Sequence, residues 1–261
     1  MIDPNGYGPP LTDIYYHVES AEFLNILMQP NVFHARLNDG EYSAILEPSV
    51  GVKNSHGDFY FPGLSDDLRY LLLEHIPSPH YVLSGAVYWF RDWPRYRTLL
   101  SDMKAQNHHL RMAYVNWGDV GVDLLTHPLL YENFLSFLRQ KSVVVVGPAY
   151  LRALKLFDRF DLIELPRQNA YTQKDAIIQK IVAHNATGVP TNYCFMGGLM
   201  AKTIIHHFSK VDTVNSYYDI GSSWDFFFQS SPTYDWPRGW RRQWYFEIQP
   251  THSQFYRDYI V

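Results

Sequence analysis

Two carboxylates separated by a single glycine are the residues here best suited to chemistry. The segment Phe33-His34-Ala35-Arg36-Leu37-Asn38-Asp39-Gly40-Glu41 runs as an apolar strand into Asn-Asp-Gly, a strong turn signal. Acids are thereby set at the carboxyl end of a strand, where open α/β sheets bind ligands. If the turn folds Asp39 and Glu41 to one side, they can converge on one hard cation. Mg2+ or Mn2+ held in this way completes its shell with phosphate oxygens and water, and would act as a Lewis acid on a leaving diphosphate. Arg36 suits a phosphate or a partner acid, and Asn38 lies beside it. A surface turn in which Asp39 or Glu41 caps the next helix fits the same spacing.

Four later segments carry polar or glycine residues between a strand and a helix. Gly147-Pro148-Ala149-Tyr150-Leu151-Arg152 offers Gly147 and Arg152 to a phosphate, although it is neither a G-x-G-x-x-G fingerprint nor a P-loop, and a strand-to-helix turn needing small residues explains it equally. Pro166-Arg167-Gln168-Asn169-Ala170-Tyr171 offers Arg167 and Asn169 to a ribose, a base edge or a phosphate, or else a helix cap. Gly197 and Gly198 permit close backbone approach to a ligand, followed by the free amides of a helix start; close helix packing is the competing reason for both. Tyr218-Asp219-Ile220-Gly221-Ser222-Ser223-Trp224-Asp225 sets Asp219, Gly221, Ser222 and Asp225 on the same rim. Asp219 or Asp225 could take the proton of an acceptor hydroxyl, and Ser222 or Ser223 could equally cap a helix.

These segments are positioned by an alternation of strands and helices. The second half reads as strand Val143–Val146, a helix carrying Leu151, Leu154 and Phe157, strand Asp161–Leu165, helix Gln173–Ala183, strand Asn192–Met196, helix Leu199–Phe208 and strand Thr213–Ile220. The first half offers strands at 31–37, 81–85 and 112–116, and helices at 41–46, 66–75, 95–106 and 129–140. Crossover units of this length predict a Rossmann-like, doubly wound, mostly parallel sheet with helices on both faces. At 261 residues the chain is expected to be one α/β domain, with 224–261 an aromatic-rich C-terminal segment.

Composition excludes several function classes. A formal charge of −4 gives no diffuse cationic field, so no nucleic-acid partner is expected. The twelve histidines form no H-E-x-x-H, and no G-x-S-x-G is present. A single cysteine, Cys194, sits in an apolar run; it rules out an internal disulfide and suits a reducing, cytoplasmic compartment. No window approaches 18 apolar residues, so no membrane span is expected. Aromatic residues are 16% of the chain and gather at 81–96 and 217–259, where they can stack on sugar or base rings or pad a core.

Taken in order, these segments resemble the glycosyltransferases of the GT-D fold, the family also known as DUF1792. The resemblance lies in Asn38-Asp39-Gly40-Glu41 where that family shows G-D-G-E, in the strand ending at Gly147, and in Pro166 with Asn169-Ala170. It continues through Gly197-Gly198 with Ala201 to Tyr218-Asp219-Ile220-Gly221, spanning roughly residues 30 to 228. It departs from the family in Asn38, which replaces the usual glycine, and in the tail after Trp224. The resemblance implies a nucleotide-sugar donor such as UDP-glucose, a metal-assisted hexosyl transfer with Mn2+ or Mg2+ at Asp39 and Glu41, and a glycan or glycoprotein acceptor. Self-association into a homo-oligomer is compatible with it. Two other readings stay open: a metal-dependent phosphoesterase using the same acids, and a non-catalytic carbohydrate-binding protein on a transferase scaffold.

Overall fold

A computed structural model of the chain describes residues 13–53, 58–85, 93–114, 127–228 and 259. Strands are β1 (Tyr15–His17), β2 (Phe33–Leu37), β3 (Ser49–Lys53), β4 (Phe59–Tyr60), β5 (Tyr81–Gly85), β6 (Met112–Tyr114), β7 (Ser142–Pro148), β8 (Asp161–Leu165), β9 (Thr191–Phe195) and β10 (Ser216–Asp219). The helices are α1 (Ser20–Leu27), α2 (Asp39–Leu46), α3 (Pro62–Glu74), α4 (Trp93–Gln106), α5 (Pro128–Leu138), α6 (Lys174–Asn185) and α7 (Met200–Phe208). Short 3-10 turns occupy Ala149–Ala153, Ala170–Gln173 and Ser223–Phe227.

Eight strands form one sheet in the order β1-β6-β5-β2-β10-β9-β7-β8, and every neighbouring pair is parallel. Parallel strands need crossovers, and crossovers cover both faces, so the central strands are apolar on both sides. The period of two sorts their side chains. Phe33, Ala35, Leu37, Val144, Val146, Tyr193, Phe195 and Tyr217 meet α2, α3, α4, α6 and α7 on one face. Val143, Val145, Cys194 and Tyr218 meet α1, α5, Leu151 and Trp224 on the other.

Tyr217 lies at the centre of the first face, stacked at 4.8 Å on Tyr193, 5.0 Å on Phe208 and 5.2 Å on Phe33. Its hydroxyl donates to Asp212 at 2.6 Å. These aromatic rings fill the core; those at 86–92 and 229–258 lie outside the described residues.

The structure departs from the sequence-based reading at several elements. The span carrying Leu151, Leu154 and Phe157 is a 3-10 turn followed by irregular chain, not a helix. Leu151, Leu154 and Phe157 are each buried, together with the off-period Leu156, so their spacing reflects burial without a helical face. Strand β10 starts at Ser216 rather than Thr213, because the Asp212 carboxylate accepts the amides of Val214 and Asn215 and turns the chain there. Strand β1, helix α1 and the antiparallel β3–β4 hairpin had no counterpart in the sequence reading.

Topology alone marks one place on the sheet. After β2 the chain enters α2 on the first face, while after the adjacent β10 it enters the 223–227 turn on the second. Neighbouring strands whose continuations leave on opposite sides define a topological switch point, and ligands of open α/β sheets bind outside the carboxyl ends there.

Candidate functional site

Asn38 leaves β2 in an extended conformation and caps α2, so Asp39 and Glu41 fall in the first turn of that helix. Residues two apart on a helix do not face each other. Asp39 is accordingly exposed, whereas Glu41 is 5% exposed and points inward. One Glu41 oxygen, Oε2, accepts the Asn38 backbone N–H at 2.8 Å. The other, Oε1, lies 2.9 Å from Lys202 Nζ.

Lys202 comes from the first turn of α7, just beyond the end of β9, and is 2% exposed. Its ammonium also lies 2.9 Å from Asp219 Oδ2 and donates to the Gly198 carbonyl at 2.9 Å. Asp219 ends β10. Its Oδ2 additionally accepts the Arg36 backbone N–H at 3.2 Å, and its Oδ1 accepts the Gly221 N–H at 3.1 Å. Burial opposes the charge on Lys202, yet the Asp219 and Glu41 carboxylates outweigh both burial and the Arg36 guanidinium and raise its pKa. Lys202 is therefore a buried cation with an acceptor for each ammonium proton.

Backbone geometry fits around these charges. Gly198 and Gly221 both have positive φ, +56° and +60°. A Cβ on Gly221 would stand 2.6 Å from Arg36 Cζ, so the guanidinium crosses a space that only glycine leaves open. Arg36, Glu41, Lys202 and Asp219, all buried, thus form a compact set of two cations and two anions beneath the switch point between β2 and β10. An uncompensated buried charge is strongly unfavourable, so such a set persists only when its geometry is complete.

No known family profile matches the sequence, and no curated protein matches it. Solved structures do. One chain, described as the selenomethionine-substituted structure of domain of unknown function 1792, superposes with a TM-score of 0.54 at 15% identity over 82% of each chain. A second, described as the domain of unknown function 1792 with a distinct glycosyltransferase fold, gives the same values. The third is described as a new glycosyltransferase (DUF1792) from Streptococcus sanguinis. It superposes with a TM-score of 0.54 at 18% identity, over 82% of this chain and 84% of that one.

The chain has the DUF1792 fold.

Within that fold, the residues expected to act together divide into two groups. Arg36, Asn38, Glu41, Gly198, Asp219 and Gly221 share the cluster or touch it. Asp39, two residues before Glu41 in the same helical turn, is exposed. Gly197 is buried against Leu165, at 3.1 Å from where its Cβ would be, which is the packing reason for a small residue. Gly147 is likewise confined by Leu151 and by Met196. Arg152 pairs with Glu164 at 2.8 Å on the surface.

Asn169 is a structural tie: its Oδ1 accepts the Phe59 amide at 2.8 Å while its own amide donates to Asp58 at 2.6 Å, fastening the β3–β4 hairpin to the loop after β8. Arg167 is exposed on that loop. Asp225 accepts the Tyr150 hydroxyl at 2.8 Å, and Ser222 precedes the 223–227 turn. The Cys194 thiol is fully buried and burial pushes its pKa up, which fits a structural thiol.

Among the described residues, no group of three or more His, Cys, Asp or Glu side chains is arranged to hold a metal ion, and no helix is long and apolar enough to cross a membrane. The expected convergence of Asp39 and Glu41 is not seen, because they start a helix and Glu41 is turned onto Lys202. Asp39 alone of the pair is presented where an ion could share it with phosphate oxygens and water. A cavity of about 590 Å3 lies elsewhere, between α1 and the amino-terminal ends of β5 and β6. It is bordered by Tyr16, Glu22, Val82 and Arg111, away from the buried charges.

Sequence reasoning passed over Lys202, although a signal was present. An ammonium in the first turn of a helix opposes the positive end of the helix dipole. Lys202 is the single charged residue in the apolar run Leu199-Met200-Ala201-Lys202-Thr203-Ile204-Ile205. A lysine so placed requires carboxylate partners from other elements.

Proposed function

We propose that the chain is a glycosyltransferase that binds a nucleoside-diphosphate sugar over the carboxyl ends of β2, β9 and β10. The sugar would pass to a glycan or a protein-linked acceptor. One observation carries this reading: the buried set Arg36, Glu41, Lys202 and Asp219 underlies the switch point of a fold shared with structures described as glycosyltransferases. In this reading Arg36 and the amides at the start of α7 face the diphosphate, since a helix start presents unsatisfied N–H groups to an anion. Asp39 is the residue that would hold Mg2+ or Mn2+. Such an ion, when bound, neutralises the leaving diphosphate.

Asp219 serves by position rather than as a base, because its oxygens already accept from Lys202, Arg36 and Gly221. Asp225, partly exposed on the turn after β10, is the carboxylate better set to take the acceptor's proton. UDP-glucose is the first donor to test.

Product analysis with a panel of nucleotide sugars and Mn2+ tests the proposal. Expected is release of the nucleoside diphosphate, with the sugar on an acceptor or slowly transferred to water as free sugar. Release of inorganic phosphate or of a nucleoside monophosphate would instead identify a phosphoesterase. Sugar binding without turnover of any donor would identify a binding protein.

A further inference from the structure

Lys202 is coordinated as a metal ion would be. Three oxygens surround its ammonium at 2.9 Å, two of them anionic, and they come from three separate parts of the fold: Glu41 on α2, Asp219 on β10, and the Gly198 carbonyl after β9. The remaining Glu41 oxygen is taken by the Asn38 amide. Glu41 therefore spends both oxygens inward, while its neighbour in the motif, Asp39, is exposed.

We infer that Lys202 is a tethered cation standing where the inner carboxylate of an Asp-x-Glu pair would otherwise meet a metal ion. Glu41 and Asp219 are its ligands. Glu41 is then not a metal ligand but a positioning residue, and Lys202 is the pin that fixes α2 and β10 against α7 beneath the donor. The meaning of the pin for catalysis rests on the transferase reading; its existence as a cation site does not.

The two Glu41 roles predict opposite results with Mn2+ alone, followed by calorimetry or by the electron-spin signal of the free ion. Asp39→Asn should weaken Mn2+ binding tenfold or more, whereas Glu41→Gln should leave the affinity within about twofold of the wild type while lowering the melting temperature. Lys202→Met, which leaves two buried carboxylates facing a vacated cation position, should melt well below the wild type. Millimolar Mn2+ or Ca2+ should recover part of that loss, because a ligand bound only by the native state raises its apparent stability. The Glu41→Gln/Lys202→Met double variant should lose the recovery. A lysine that merely packs would give no metal-dependent rescue.

If Glu41→Gln weakens Mn2+ binding as strongly as Asp39→Asn, or if folded Lys202→Met gains nothing from either ion, the inference is overturned. Should Lys202→Met fail to fold even with the ions, the Glu41→Gln measurement decides alone. A wild type that binds no Mn2+ would contradict the metal part of the proposed function, while the rescue of Lys202→Met would still report on the tethered cation.

Discussion

At the scale of single residues, the cluster makes its members unequal. Lys202 is held by two carboxylates at 2.9 Å in a site from which water is nearly excluded. Removing one partner of a buried pair leaves an uncompensated charge and costs about 3–5 kcal/mol. Lys202→Met is accordingly expected to lower unfolding free energy by that amount in urea titrations. Gly221 is predicted to be nearly as intolerant for a different reason. Its positive φ strains any side chain, and the new Cβ would strike the Arg36 guanidinium. Gly221→Ala should cost roughly 1–3 kcal/mol by the same measurement and displace Arg36 from the site. Asn169 tests the opposite expectation. Because its Oδ1 is bound to the Phe59 amide, Asn169→Ala should speed hydrogen exchange at Phe59 and leave nucleotide affinity within about twofold.

At the scale of elements, α3, β5 and α7 are joined through two buried histidines that must stay neutral. His75, just past α3, packs edge-on against Tyr81 of β5 with ring centroids 4.7 Å apart. The Tyr81 hydroxyl and His206 Nδ1 of α7 share a hydrogen bond of 2.8 Å. Burial lowers both imidazole pKa values to about 4, assisted for His75 by the charge of His206 and for His206 by that of Lys210. The sign follows from linkage: with the folded pKa below the unfolded value of 6.5, the unfolded chain binds more protons between those limits. Stability should be full above pH 6.5 and should fall as pH drops towards 4, by up to about 3 kcal/mol per ring. Urea midpoints at pH 7 and pH 5 check this, and replacing either histidine by Phe should flatten the slope.

Elements also differ in how far their sequences disclosed them. β5 is bounded as its apolar run suggests, because a strand buried on both faces leaves an unbroken signature between polar ends; β8, a half-exposed edge strand, was bounded by its short Leu162-Ile163 core between acids. The stretch after β7 misled, since residues at helical spacing were buried one by one in an irregular chain. A three-residue edge strand such as β1 carries too few side chains to show a period at all. The D-x-E pair was legible as residue types but not as geometry: the turn signal Asn38-Asp39-Gly40 is also a helix start, and only the helical outcome sends Glu41 inward. Lys202 was hidden because its partners lie 161 and 17 residues away along the chain, at separations that no local spacing rule reaches.

For the molecule as a whole, order along the chain proved more informative than any motif. Alternating strands and helices implied a doubly wound parallel sheet, and the sheet is parallel at every pairing among the described residues. That topology brings Arg36, Glu41, Lys202 and Asp219 from four elements to one switch point, where ligand binding is expected. Hydrogen–deuterium exchange with and without UDP and Mn2+ reads this directly. Binding at the switch point predicts protection gathered at residues 36–41, 197–202 and 219–222. Protection gathered instead around Tyr16, Asn25, Val82 and Arg111 at the amino-terminal cavity, or no protection anywhere, would contradict it.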